Sequence, residues 1–290
     1  MAEHIALYGK GGAGTSTLIS NISAALVEAG FRVLQIGCSL KGDSCGTLYG
    51  GLEIPTVWDR YEKTGSISFD SVVRRGFKDI CCIELGGAQA GHGVSAAVQA
   101  LGLLLEHGLI SALHPDFVLY DLSGQQAGGV LRALNEKIGL QRIFAVTTAD
   151  FMSRTAVNSL IGELEQIGGS RVPIVFGGLV PNSIASSFEE SFISDFARHA
   201  HTRTLGRIPR SLMVRQCELY GKTVIEAAPL SNQSYFYRRL ANQIVDESSS
   251  TTAGQPPQPF TTDQLRVWAR EWADRLYALE NGLVIDGAAI

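Results

Sequence analysis

The chain has 290 residues, 45% of them hydrophobic and 18% charged, so a sizeable core can be buried and an intrinsically disordered chain is excluded. Lys and Arg number 24 against 28 Asp and Glu, a net charge of −4, which leaves no basic excess for binding phosphate backbones and makes nucleic acid an unexpected partner.

The short apolar segment Ile5 to Tyr8 predicts a strand, the glycine-rich stretch GKGGAGTST a loop, and the amphipathic run from Ser16 to Ala29 a helix stopped by Gly30. Further strands are predicted at Val33 to Ile36, Asp79 to Ile83, Phe117 to Tyr120, Ile143 to Thr147 and Ile174 to Leu179, with helical patterns between most of them. This alternation predicts an α/β fold. Its doubly wound, mainly parallel sheet would carry helices on both faces, with the ligand site at the carboxyl ends of the strands. No internal repeat is visible.

At residues 246–262 (DESSSTTAGQPPQPFTT) the composition turns to Ser, Thr and Pro, which predicts a flexible linker between a domain at 1–245 and a tail helix at 263–290. In the tail, Leu265, Trp268, Trp272, Leu276 and Leu279 recur at three- and four-residue intervals and make one apolar stripe. That stripe either folds back on its own domain or docks on a second subunit. The longest dense apolar run, Leu101 to Leu105, falls far short of the roughly 20 residues that cross a bilayer. Five cysteines without paired spacing, and no charged-then-apolar leader, point to a reducing cytoplasm.

Within Gly9-Lys10-Gly11-Gly12-Ala13-Gly14-Thr15-Ser16-Thr17, the glycines let successive backbone N–H groups turn toward a polyphosphate, and the helix that follows adds its positive end. The pattern GxxxxGK[ST] is met except that Thr15 stands where the phosphate-contacting lysine belongs. Lys10 matches the additional lysine of the deviant Walker A loop, KGGxGK[ST].

That loop, with VLQIGCSLKGDS at 33–44, CIELGG at 82–87, DFVLYDLSG at 116–124, GGLVPNS at 177–183 and TVIEAAP at 223–229, resembles the nitrogenase iron protein family in order and spacing. The likeness runs over about residues 3–245 and extends to the reductases of nitrogenase-like enzymes in tetrapyrrole synthesis. The resemblance implies a dimer of P-loop subunits that binds MgATP, bridges one [4Fe-4S] cluster across its two-fold axis and passes electrons to a partner. It implies further that Gly9 to Thr17 cradle the nucleotide, that Ser16 and Asp121 hold magnesium, that Asp43 is the switch I aspartate, and that Asn182, Pro209 and Arg210 border the adenine.

Other positions depart from the family. Thr15 replaces the phosphate lysine, and Ser39 stands in GCSLKGDS where the family has the aspartate of GCDPKADS, which helps to position the attacking water. A serine cannot act as a carboxylate base. Both ligating cysteines are missing: the stretch from Cys82 through Gly87 to Val94 is about three residues short, with His92 in the shortened loop. Ala127 stands at the second cysteine's place in a switch II segment one residue short. Cys38, Cys45, Cys81, Cys82 and Cys217 offer no obvious replacement, and His199 with His201 read as solvated rather than metal-binding. Asp121 to Gln125 has the form DxxGQ, in which small GTPases orient water with the glutamine, so Gln125 is the one catalytic candidate; no guanine-reading motif accompanies it.

These readings favour a degenerate relative of the iron protein, with weakly bound or unhydrolysed ATP or ADP with magnesium and no [4Fe-4S] cluster. Its role would lie in regulating, assembling or docking onto a nitrogenase-like system. Its expected partners are a second copy or an intact iron protein homologue, and a nitrogenase-like catalytic component. The alternatives are an active ATP-dependent electron donor whose cluster is held by other residues, and a positioning ATPase of the chromosome-partitioning type.

Overall fold

In the computed structural model, which describes residues 2–87, 94–123, 127–167, 173–249 and 256–283, Glu3–Gly9 forms β1 in the middle of a sheet. The chain passes through a tight loop into α1 (Thr15–Glu28), turns at the left-handed Gly30 (φ 96°) and returns as β2 (Val33–Gly37). After α2 (Val57–Thr64) and the single turn α3 (Phe69–Val72) come the two-residue β3 (Arg74–Arg75) and β4 (Cys81–Glu84). Next follow α4 (Val94–Glu106), the short α5 (Leu109–Ala112), β5 (Phe117–Ser123), α6 (Ala127–Ile138), β6 (Arg142–Thr147) and α7 (Phe151–Ile167). The chain continues through β7 (Val175–Ile184), α8 (Ser187–His199), β8 (Ile208–Pro209), α9 (Leu212–Leu219), α10 (Val224–Ala227), α11 (Asn232–Ser249) and α12 (Thr262–Glu280).

The eight strands lie in the order β3-β4-β2-β5-β1-β6-β7-β8, and every pairing is parallel except that of β3 with β4. From β1 the chain winds one way to β2 and β4 and later the other way to β6 and β7. A crevice therefore opens at the carboxyl ends beside β1, where such sheets hold ligands. Side chains alternate between the two faces. Ile5 and Leu7 of β1, with Leu119 of β5 and Phe144 of β6, pack on Leu18 and Ile22 of α1 and Leu240 of α11. Ala6, Val118, Tyr120 and Ala145 pack the other way, among Leu101 of α4, Leu134 of α6 and Leu160 of α7. Each such leucine or isoleucine, fully removed from water, contributes about 1.5–3 kcal/mol.

Four boundaries differ from the sequence reading. β4 begins at Cys81 and not at Asp79, because Lys78 and Asp79 are left-handed (φ 47° and 65°) and cannot continue a strand. β7 runs on to Ile184, where the two-residue β8 pairs with it; nothing so short leaves a periodicity to read. The linker expected over 246–262 narrows from both sides. Asp246 to Ser249 stay in α11, where Ser248 and Ser249 bond back to carbonyls one turn earlier, and Gln258 and Phe260 are tied to Ala200 and Asn158. Residues 250–255 lie outside the described residues. The tail helix stops at Glu280 instead of running on to 290, with Asn281 as its cap and left-handed Gly282 (φ 66°) beyond; 284–290 are likewise outside.

Of the two positions open to α12, the structure has it on its own chain. Thr261 and Gln264 cap its start reciprocally. Trp268 and Trp272 then pack among Phe188, Phe192 and Phe196 of α8, and both indole N–H groups donate to Asp195 Oδ2, at 2.8 and 2.9 Å. The first half of the stripe is thus spent inside the molecule, while Leu276 stays exposed. No helix among the described residues is long and apolar enough to cross a membrane.

Candidate functional site

Gly9 to Gly14 span the carboxyl end of β1 and the amino end of α1, so the loop's N–H groups and the helix terminus face the crevice together. Two of its glycines are dictated by contacts. A Cβ on Gly9 would come within 2.0 Å of Thr15 Oγ1, and one on Gly14, which is left-handed (φ 79°), within 2.6 Å of Asn182 Nδ2. Asn182, at the end of β7, donates to the Ala13 carbonyl (2.8 Å) and so pins the loop from the side. Pro209 ends β8 and Arg210 follows it; Arg210 bonds through its N–H to Ile184 and through Nε to Ser183, which brings that segment beside Asn182.

Thr15 is buried against Gly9, and its Oγ1 has no hydrogen-bond partner. The position where a lysine would project into the cradle therefore contributes a short hydroxyl facing the protein. Lys10, half-exposed, pairs at 3.9 Å with Asp150 in the turn before α7. Thr17 leaves the loop altogether, donating to Glu218 of α9 at 2.5 Å.

Asp121, fully buried in β5, receives the Ser44 hydroxyl on Oδ2 (2.6 Å) and a hydrogen bond from Ser16, while its Oδ1 is buried without a partner. Burial raises its pKa, and those two hydroxyls oppose the shift. An orphaned carboxylate oxygen beside a helix-start serine suits a hard divalent cation, which takes oxygen ligands. Asp43 is exposed but close enough for its charge to raise the pKa of both Asp121 and Glu84. Ser39 Oγ accepts the N–H of Lys41, and its carbonyl the N–H of Gly42.

Glu84 stands in CIELGG with no role assigned by the sequence, and the structure gives it one. It ends β4, is entirely buried, and accepts the Cys45 N–H at 2.7 Å; burial in the company of Asp121 and Asp43 pushes its pKa up to about 8. Gln35 and Ser20 grip Ser44 from below, so residues 44 and 45 are held by four buried side chains at once. The signal was available in the sequence: an acid closing an apolar strand two strands from Asp121, with glycine at 37 between them. A Cβ on Gly37 would meet Glu84 Oε2 at 1.9 Å.

The five cysteines are all buried and free. Cys81 and Cys82 enter opposite faces of the sheet, and burial holds the thiols of Cys38 and Cys45 well above the usual range. Among the described residues no group of three or more His, Cys, Asp or Glu is arranged to hold a metal. A four-iron cluster asks for accessible thiolates, and this donor set does not fit one. His92 and Gln125 lie outside the described residues, and nothing is described of the Ala127 side chain. His199 and His201 stand at the far side of the molecule, His199 bonding to the Asp195 carbonyl.

Residues 3–272 match the family described as 4Fe-4S iron sulfur cluster binding proteins, NifH/frxC family. The nitrogenase iron protein 2 of Paenibacillus durus is 39% identical, the alignment covering 99% of this chain and 97% of that protein. The nitrogenase iron protein of Methanospirillum hungatei JF-1 is 36% identical over 93% of this chain and 96% of its own. Among solved structures, the septum site-determining protein MinD of Pyrococcus horikoshii OT3, complexed with Mg-ADP, superposes with a TM-score of 0.66 at 19% identity, over 87% of this chain and 100% of its own. That last likeness establishes a shared P-loop ATPase fold.

Proposed function

The chain belongs to the NifH/frxC family of 4Fe-4S iron–sulfur cluster binding proteins, and from that premise we propose that it is a degenerate member. In this reading it binds ADP or ATP with magnesium, hydrolyses it slowly or not at all, carries no bridging cluster, and acts in regulating, assembling or docking onto a nitrogenase-like system. The observation that carries this is Thr15, buried against Gly9 and facing away from the cradle. Phosphates would meet backbone N–H groups, the α1 terminus and Ser16, but no cation from the loop's own helix. Ser16 and Asp121 would hold magnesium, whose chemistry there is to neutralise phosphate charge. Lys10, whose side chain among the described residues makes only a long, half-exposed contact to Asp150, has room to reorient.

Hydrolysis asks for a group that orients or deprotonates water, and Ser39 at the family's aspartate position supplies no carboxylate. The buried, raised-pKa thiols support the absence of a cluster, and without one the electron-donor alternative has no redox centre. The positioning-ATPase alternative rests on a fold likeness at low identity and is the weaker reading. The test is direct. MgADP should bind by calorimetry, and steady-state ATPase should be at background. Turnover that Asp121→Asn abolishes would refute the non-hydrolysing reading, and absence of any MgADP binding would refute the nucleotide reading.

A further inference from the structure

At the opposite end of the sheet from the phosphate loop, a cleft of about 540 Å³ opens beside the amino ends of β1 and β5, closed by the ends of α4 and α6 and by α5. Its volume is that of a small-molecule site. Leu105, Ile110 and Ile138 make its apolar wall, with Leu104 buried behind them.

The polar groups have defined roles. His4 lines the cleft, and its Nδ1 lies 2.8 Å from the hydroxyl of Tyr120. Tyr120 is fully buried and its pKa is driven well up by burial, so it remains a phenol. Its O–H must donate, and the ring nitrogen of His4 is its hydrogen-bond partner among the described residues. Burial lowers the pKa of His4, which favours the neutral ring. With Nδ1 accepting from Tyr120, the ring proton sits on Nε2, a donor that the pair holds in one orientation. On the rim, Arg32 grips Asp116 through Nη2 at 2.8 Å and Nε at 3.2 Å, and the two charges cancel. Lys137, at the last turn of α6, has no ion-pair partner among the described residues. Among the described residues the cleft therefore presents the unpaired charge of Lys137, the fixed neutral donor of His4 and an apolar wall, with Ser111 and His114 also on its lining.

We infer that this cleft is a second binding site, for a small organic monoanion with an apolar body, a medium-chain carboxylate by chemistry. The carboxylate meets Lys137 and His4 Nε2, and the chain lies on the leucine and isoleucine wall. The inference is independent of the nucleotide reading, because none of its residues belongs to the phosphate loop.

The probe is octanoate, titrated calorimetrically into the full chain, with the His4 ring signals followed by NMR and octylamine as the control of opposite charge. Saturable octanoate binding that shifts the His4 signals is expected. It should weaken about tenfold or more in Lys137→Gln, as loss of a charge-assisted contact implies, and vanish in Leu105→Trp, which fills the cleft. It should persist in the presence of saturating MgADP. No saturation up to about 10 mM, native-like binding in either variant, or octylamine binding as well as octanoate would overturn the proposal. Lys137→Gln is a surface change, so the test does not depend on the cleft-filling variant folding.

Discussion

Thr15 and Glu84 are the two residues at which this site departs most from a plain phosphate cradle. A charge-assisted hydrogen bond to phosphate contributes about 1.5–3 kcal/mol. Thr15→Lys should therefore tighten MgADP roughly 10- to 100-fold, as measured by calorimetry, provided the longer chain leaves the Gly9 contact for the crevice. Combining it with Ser39→Asp should raise affinity more than turnover. An unchanged affinity would mean that the cradle is built for something other than a polyphosphate. At Glu84 the carboxyl titrates near 8 when folded and in the ordinary carboxylate range when unfolded. Between those values the unfolded chain has lost the proton that the folded one keeps. Stability contributed by the protonated group is thus full at low pH and falls as pH rises toward 8. Glu84→Gln, an isostere of the protonated acid, should melt with the native protein at pH 5 and clearly above it at pH 8.5, by an amount worth on the order of a few kcal/mol. Coincident melting curves at both pH values would place the proton elsewhere.

Elements with strong periodicity were legible in the sequence: the strands of Ile5, Val33, Phe117 and Ile143 all lie where alternation put them. The reason is that each is buried on both faces, which demands the apolar runs by which such strands are read. What escaped were features set by backbone conformation or distant partners. The left-handed Lys78 and Asp79 delay β4, and β8 exists only as a partner for β7. Of the site, the loop and Asp121 were readable, since their chemistry needs particular residue types at fixed spacing. Glu84 left a signal as an acid closing an apolar strand, but its clasp on Cys45 was not readable, because the two lie 39 residues apart. The tail's stripe was readable as apolar, but its destination lay in Asp195, a single acid on α8 that accepts both indoles. Asp195→Ala would leave two indole donors unpaired at an interface that buries both tryptophans. A loss of about 2–4 kcal/mol in denaturant stability is expected from two such orphaned groups. A change below about 0.5 kcal/mol, the scale of an ordinary surface substitution, would show that the tail is not anchored there.

For the whole molecule, the crevice end of the sheet is the face on which assembly is expected. Phe151 and Met152 at the start of α7, and Leu212 at the start of α9, are exposed by 44, 56 and 79% beside the segments that border the loop. The resemblance to the iron proteins implies that the lysine at Lys10 reaches a nucleotide on the other subunit. A dimer is therefore expected, with itself or with an intact homologue, tightening with MgADP and loosening in Lys10→Ala. Sedimentation of the chain alone and mixed with that homologue checks this, and a monomer in every mixture ends it. The tail stripe can add little to such a dimer, because Trp268 and Trp272 are already buried within the subunit.

On the proposed reading this member of an iron–sulfur family has kept the nucleotide fold and lost the cluster. Iron and acid-labile sulfide analysis of the anaerobically purified full chain tests it most directly. A colourless protein with iron and sulfide at background is expected. A brown protein with about four irons per dimer, the content of one bridging cluster, would contradict it.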